Sequence, residues 1–146
     1  MQIGKYDVKL GNAGLLRLDG GAMFGVVPRV LWERKKPADE QNRIQMGTNV
    51  MLLKGEGRNI LVDTGLGDKN DDKFDKIFAV DQKENNLGKF LQTEGLTTAD
   101  ITDVILTHLH FDHAGGLLTA WVEHENPRLL FPNARFLVSR ISACAV

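Results

Sequence analysis

Apolar and polar positions alternate along Tyr6-Asp7-Val8-Lys9-Leu10, the period-2 pattern of a strand with one buried face. Gly11-Asn12-Ala13-Gly14 interrupts the pattern as a turn would, and Leu15-Leu16-Arg17-Leu18 predicts a second strand ending at Asp19-Gly20-Gly21. From Ala22 to Met46 no period is visible. The segment holds two prolines, a Glu33-Arg34-Lys35-Lys36 cluster and isolated Phe24, Leu31 and Trp32. So long a connection reads either as a lid or binding loop, or as a solvated loop pinned by a few apolar anchors.

Regular patterning resumes with Asn49–Lys54 and Asn59–Asp63, two short apolar runs joined through Gly55-Glu56-Gly57, which predicts a hairpin. The second run has little alternation, so it is expected to be buried on both faces. Asp68 to Asn86 is rich in Asp, Lys and Asn, a solvated excursion with a helical turn around Phe74, Ile77 and Phe78. Leu87, Phe90 and Leu91 fall at i, i+3 and i+4 with Gly95 as a stop, which predicts a helix. Val104-Ile105-Leu106 is a short buried strand that leads into Thr107-His108-Leu109-His110-Phe111-Asp112-His113-Ala114-Gly115-Gly116. Leu129–Phe131 and Arg135–Val138 predict strands on either side of Pro132-Asn133, and Ser139 could cap a helix.

The 146 residues amount to about one domain, expected to span 1–146 without an internal linker or repeat. Hydrophobic residues at 42% and charged residues at 25% argue against a disordered or coiled-coil chain. A net charge of -1 gives no basic excess for nucleic acid or an anionic membrane, so neither is expected as a partner. The one cysteine, Cys144, excludes an internal disulfide framework and a cysteine-based zinc cluster. With no apolar run near the roughly 20 residues that span a bilayer, a soluble, cytoplasmic protein is the expectation.

Three of the four histidines, His108, His110 and His113, lie within six residues together with Asp112. Imidazole nitrogen and carboxylate oxygen are ligands for zinc and similar divalent ions. On extended backbone His108 and His110 point the same way and could share an ion. Asp112 and His113 follow a turn that Gly115-Gly116 would permit, and they suit a second ion beside the first. Crowded histidines without a metal would repel on protonation and lose hydration on burial, whereas a metal stabilises them neutral. His124, alone, reads as an ordinary polar side chain. Asp63 either steers a ligand histidine from behind or serves as a turn former before Thr64-Gly65.

The histidine motif, preceded by Asn59-Ile60-Leu61-Val62-Asp63-Thr64-Gly65, resembles the metallo-β-lactamase-fold hydrolase superfamily. Leu18-Asp19-Gly20-Gly21-Ala22-Met23-Phe24-Gly25-Val26-Val27-Pro28 resembles the branch with quorum-quenching N-acyl-homoserine lactonases and methyl-parathion-hydrolase-like enzymes. The resemblance implies an α+β fold, half of an αβ/βα sandwich with a mostly antiparallel or mixed sheet and flanking helices. It implies two zinc ions, with iron, manganese or cobalt as alternatives. His108 and His110 would hold the first and Asp112 and His113 the second, with Asp63 behind them. A hydroxide between the ions would attack an ester, lactone or phosphoryl centre, and Asp112 would help protonate the leaving group. Phe24 and Trp32 could wall an apolar pocket for the small-molecule substrate.

Family members take further ligands from a second half: another histidine, a bridging aspartate and a last histidine. After His113 this chain offers only His124 and no aspartate. It therefore reads as an N-terminal half, truncated at its C-terminal end, with weak metal binding and little hydrolysis of its own. A missing C-terminal half or a second copy, as a homo-dimer, would be needed to cover the open sheet face. The competing expectations are a non-catalytic fragment or interaction module, and the same fold working as a phosphotriesterase or thioesterase.

Overall fold

Strand β2 (Tyr6–Asp19) runs fourteen residues without a turn, although its sequence predicts two shorter strands. The computed structural model describes residues 1–120 and 126–140; His124, Cys144 and any helix after Ser139 lie outside the described residues. Strand β1 (Gln2–Ile3) pairs antiparallel with β2, β2 with β3 (Arg43–Gly55), and β3 with β4 (Arg58–Val62). Strands β5 (Asp103–Leu106) and β6 (Arg135–Val138) then add in parallel, giving a six-stranded mixed sheet in sequence order.

The supposed turn at Gly11–Gly14 is a bulge inside β2. Between Asn12↔Asn49 and Leu15↔Gly47, two residues of β2 face one of β3. The Thr48 hydroxyl there donates to the Gly14 carbonyl at 3.0 Å. Gly11 has a different role: a Cβ on it would lie 2.4 Å from the Phe90 ring, so the missing side chain lets a helix close on the sheet. That helix is α4 (Leu87–Thr93), at the predicted place, capped by the Asn86 side chain, which accepts from the Lys89 amide at 2.8 Å. Leu87 and Leu91 enter a core with Ala13, Val50, Leu52, Leu61, Val104 and Phe131.

The segment from Ala22 to Met46 is neither wholly loop nor lid. It contains the last three residues of α1 (Gly20–Phe24), all of α2 (Arg29–Trp32) and the first four residues of β3. Because β4 ends opposite Met51, the earlier part of β3 and the later part of β2 stand out as a two-stranded arm past the ends of β4 and β5. The arm reaches roughly 25 Å, with α1 and α2 at its tip. Leu129–Leu130 is not a strand either; Leu129 makes a single bridge to Leu118, and Phe131 is fully buried in the core.

The opposite sheet face is open. Leu10↔Met51↔Val62↔Ile105↔Leu137 form one row across five strands. Leu10 is 72% exposed, Leu137 47% and Ile105 38%. Among the described residues, no helix is long and apolar enough to cross a membrane.

Candidate metal centre

Strands β4 and β5 run parallel and end side by side, so the residues that follow them, Asp63-Thr64-Gly65 and Thr107-His108, emerge together. Asp63 adopts a left-handed backbone, φ 59°, a conformation that costs a non-glycine residue about 1–2 kcal/mol. Such strain persists where surrounding contacts impose it. Here the buried carboxylate of Asp63 accepts from the Thr107 amide at 2.9 Å and from the Thr107 hydroxyl at 2.9 and 3.0 Å. It also lies 2.8 Å from His113 Nδ1.

The histidine segment is then folded back against the β4 end. Helix α5 (Phe111–Ala114) is a single turn, and Gly115–Leu117 continues it as a 3-10 turn. The Thr64 amide and hydroxyl both donate to the His113 carbonyl, at 2.7 and 2.9 Å, and the Gly116 amide donates to the Gly65 carbonyl at 3.0 Å. A Cβ on Gly115 would sit 2.2 Å from the Leu66 carbonyl oxygen, and one on Gly116 2.5 Å from that of Thr64. The two glycines are needed for close approach; Gly115 itself has an ordinary helical φ of -59°.

This packing gathers the predicted residues. The His108 ring centroid lies 4.6 Å from that of His110 and 4.0 Å from that of His113. His113 Nε2 is 3.4 Å from Asp112 Oδ2. His108, Asp112 and His113 each offer one ligand atom within 4.8 Å of the others, a grouping that crosses the expected division into a first and a second ion pair. His110 stands beside this trio and outside it. Two donors bonded to one tetrahedral ion at about 2.0–2.2 Å lie roughly 3.3–3.6 Å apart, so shifts of about 1 Å would close the trio on a cation. Nitrogen and carboxylate donors behind a buried orienting carboxylate fit a divalent ion of the zinc type.

Phe24 and Trp32, the expected pocket wall, meet each other at the arm tip. Trp32 is buried at the arm tip, stacked on Phe24 at 5.0 Å, and Gly20 is small where a Cβ would meet its ring at 2.5 Å. The aromatic residue between the candidate ligands is Phe111, in contact with Phe74 and Phe78 of α3 (Asp72–Phe78) at centroid distances of 5.4 and 4.9 Å. The Arg43 guanidinium, at the start of β3, donates to the Lys76 carbonyl at 3.1 Å and ties α3 to the arm. The i, i+4 spacing of Phe74 and Phe78 was the available signal. Thr107 carried none beyond its place next to His108.

Residues 43–136 match the metallo-beta-lactamase superfamily model, and the chain belongs to that family. It is 38% identical over 74 residues to an N-acyl homoserine lactonase of Bacillus cereus, a match covering 44% of this chain and 30% of that protein. It is 41% identical over 71 residues to a beta-lactamase-like protein 2 homolog of Drosophila melanogaster, covering 49% and 20%. A probable metal-dependent hydrolase from Staphylococcus aureus superposes with a TM-score of 0.85 at 36% identity, over 99% of this chain and 50% of the other. A dizinc quorum-quenching lactonase in complex with a product superposes at 0.69 and 26% identity, over 97% and 44%. The chain thus spans about half the length of these solved relatives and less than a third of the curated ones, and its mixed sheet with few helices is the expected partial α+β fold.

Proposed function

We propose that this chain carries the metal-binding half of a hydrolase that opens ester or lactone bonds. The observation that carries the reading is the convergence of His108, Asp112 and His113 within 4.8 Å, with His113 anchored on Asp63. His108, His110, Asp112 and His113 are the proposed ligands for zinc, with iron, manganese or cobalt as alternatives. A divalent ion there would lower the pKa of water toward 7 and polarise a carbonyl. Asp63 holds His113 through Nδ1, and the Asp112 carboxylate would take the proton released by the attacking water and pass it to the departing oxygen. Phe111, Phe74 and Phe78 offer an apolar flank beside the cluster, suited to the acyl part of a small substrate.

Support for a lactone or ester substrate comes from the lactonase relatives. The open row from Leu10 to Leu137 supports a covering layer, from a second half or a second copy, as a condition for full activity. The test loads this chain, and separately a version extended to the length of the Staphylococcus aureus relative, with zinc after chelation. Metal per chain and turnover on lactone, ester, thioester and phosphotriester panels are then measured. Metal retention with lactone or ester turnover in the extended version supports the reading. Retained metal with only phosphotriester or thioester turnover moves the substrate class, and no retained metal in either version refutes it.

A further inference from the structure

We propose that Thr107 is a positioning residue which, with Asp63, sets the tautomer of two imidazoles, an inference that rests on the metal-site reading above. The Thr107 hydroxyl lies 2.9 and 3.0 Å from the two Asp63 oxygens, 3.0 Å from His108 Nδ1 and 3.4 Å from His113 Nδ1. A hydroxyl has one proton to give, and an ionised carboxylate can only accept. The proton therefore goes to Asp63, and towards His108 the Thr107 oxygen can only accept. His108 Nδ1 must then carry hydrogen. His113 reaches the same state directly, because its Nδ1 faces Asp63 Oδ2 at 2.8 Å.

Both rings are thereby held in the Nδ1–H form, which leaves both Nε2 lone pairs bare for a cation. His113 Nε2 already lies 3.4 Å from Asp112 Oδ2, a separation that two ligands of one ion adopt. The Thr107 amide adds the bond that seats the carboxylate of the strained Asp63. One carboxylate thus aims two histidines, one directly and one through a threonine 44 residues away in sequence.

The test is long-range proton–nitrogen correlation NMR on the metal-free, nitrogen-15-labelled chain at pH 8. His108 and His113 are both expected in the Nδ1–H form, whereas free histidine in water favours Nε2–H. In Thr107→Val, which keeps the branched shape, His108 should revert to Nε2–H while His113 stays as it was; Thr107→Ser should keep both. Zinc affinity by chelator competition should fall 10–100-fold in Thr107→Val and recover to within about threefold in Thr107→Ser. His108 as Nε2–H in the wild-type chain overturns the proposal without any variant, as does an unchanged His108 in folded Thr107→Val. A wild-type chain with both Nδ1–H rings, but no zinc binding in it or in the extended version, supports the tautomer assignment and refutes the metal reading. Zinc binding with His108 as Nε2–H in the metal-free chain does the reverse.

Discussion

Asp103, at the start of β5, tests whether the parallel half of the sheet is held by charge or by packing alone. Its side chain is 1% exposed and accepts from Arg58 of β4 at 2.7 and 2.9 Å, from Arg135 of β6 at 2.7 and 2.9 Å, and from the Thr102 hydroxyl at 2.7 Å. Removing one partner of a fully buried ion pair costs about 3–5 kcal/mol because the other charge is stranded. Here Arg58 and Arg135 are 38% and 72% exposed and would rehydrate, so Asp103→Ala is expected to cost about 2–3 kcal/mol. With a urea slope of about 2 kcal/mol/M, the midpoint should fall by roughly 1–1.5 M. The Arg58 guanidinium, aided by Thr102 and Arg135, holds the Asp103 carboxyl well below the usual carboxylate range against the opposing effect of burial. A lowered folded-state pKa gives stability that is present above the unfolded value, about 3.9, and lost as pH falls towards the folded one. The midpoints of wild type and Asp103→Asn should therefore converge between about pH 4 and acid extremes. A loss below about 0.5 kcal/mol for Asp103→Ala at pH 7, or a wild-type to Asp103→Asn gap that stays constant on acidification, would refute this account.

Asp63→Asn should stay folded, with a thermal midpoint within a few degrees of wild type, because asparagine tolerates the left-handed backbone. Its amide would face His113 Nδ1–H, so zinc affinity by chelator competition should drop 10–100-fold. Gly116→Ala places a methyl 2.5 Å from the Thr64 carbonyl oxygen and should cost about 1–3 kcal/mol in urea denaturation, with metal retention falling as the turn is pushed off β4. In the extended version, Phe111→Ala should raise KM for hexanoyl over acetyl substrates about tenfold with kcat largely kept, since it removes apolar contact and no reacting group. An equal effect on both chain lengths would remove the aromatic trio from the substrate flank.

Local pattern was enough where local interactions decide the outcome. The spacing of Leu87, Phe90 and Leu91 with Asn86 ahead marked α4, and the runs around Gly55-Glu56-Gly57 marked the β3–β4 hairpin. The density of imidazoles after Val104-Ile105-Leu106 marked the candidate metal centre for the same reason: all four groups lie within six residues. What stayed hidden depends on distant partners. Gly11 and Gly14 look like turn residues, yet one exists for Phe90 and the other sits in a bulge opposite Thr48. The start of β3 is polar because the arm has no β4 beside it, so Arg43-Ile44-Gln45 shows too little apolar signal for a strand. Thr107 is inconspicuous until β4 and β5 pair in parallel and bring it to Asp63.

The same register links completion of the fold to completion of the site. Val62 and Ile105 are direct neighbours in the open apolar row; Val62 immediately precedes Asp63, and Ile105 lies two residues before Thr107. A layer seated on Leu10, Met51, Val62, Ile105 and Leu137 would bury the exposed row, in which Ile105 lies three residues before His108. The trio of His108, Asp112 and His113 supplies one ion with no more than three protein donors, and His110 would be shared with a second. We expect one added layer to meet both deficits, apolar cover and coordination number, together. Metal affinity and sheet stability should then rise in parallel when that layer is present, because binding to the folded form alone adds directly to its stability.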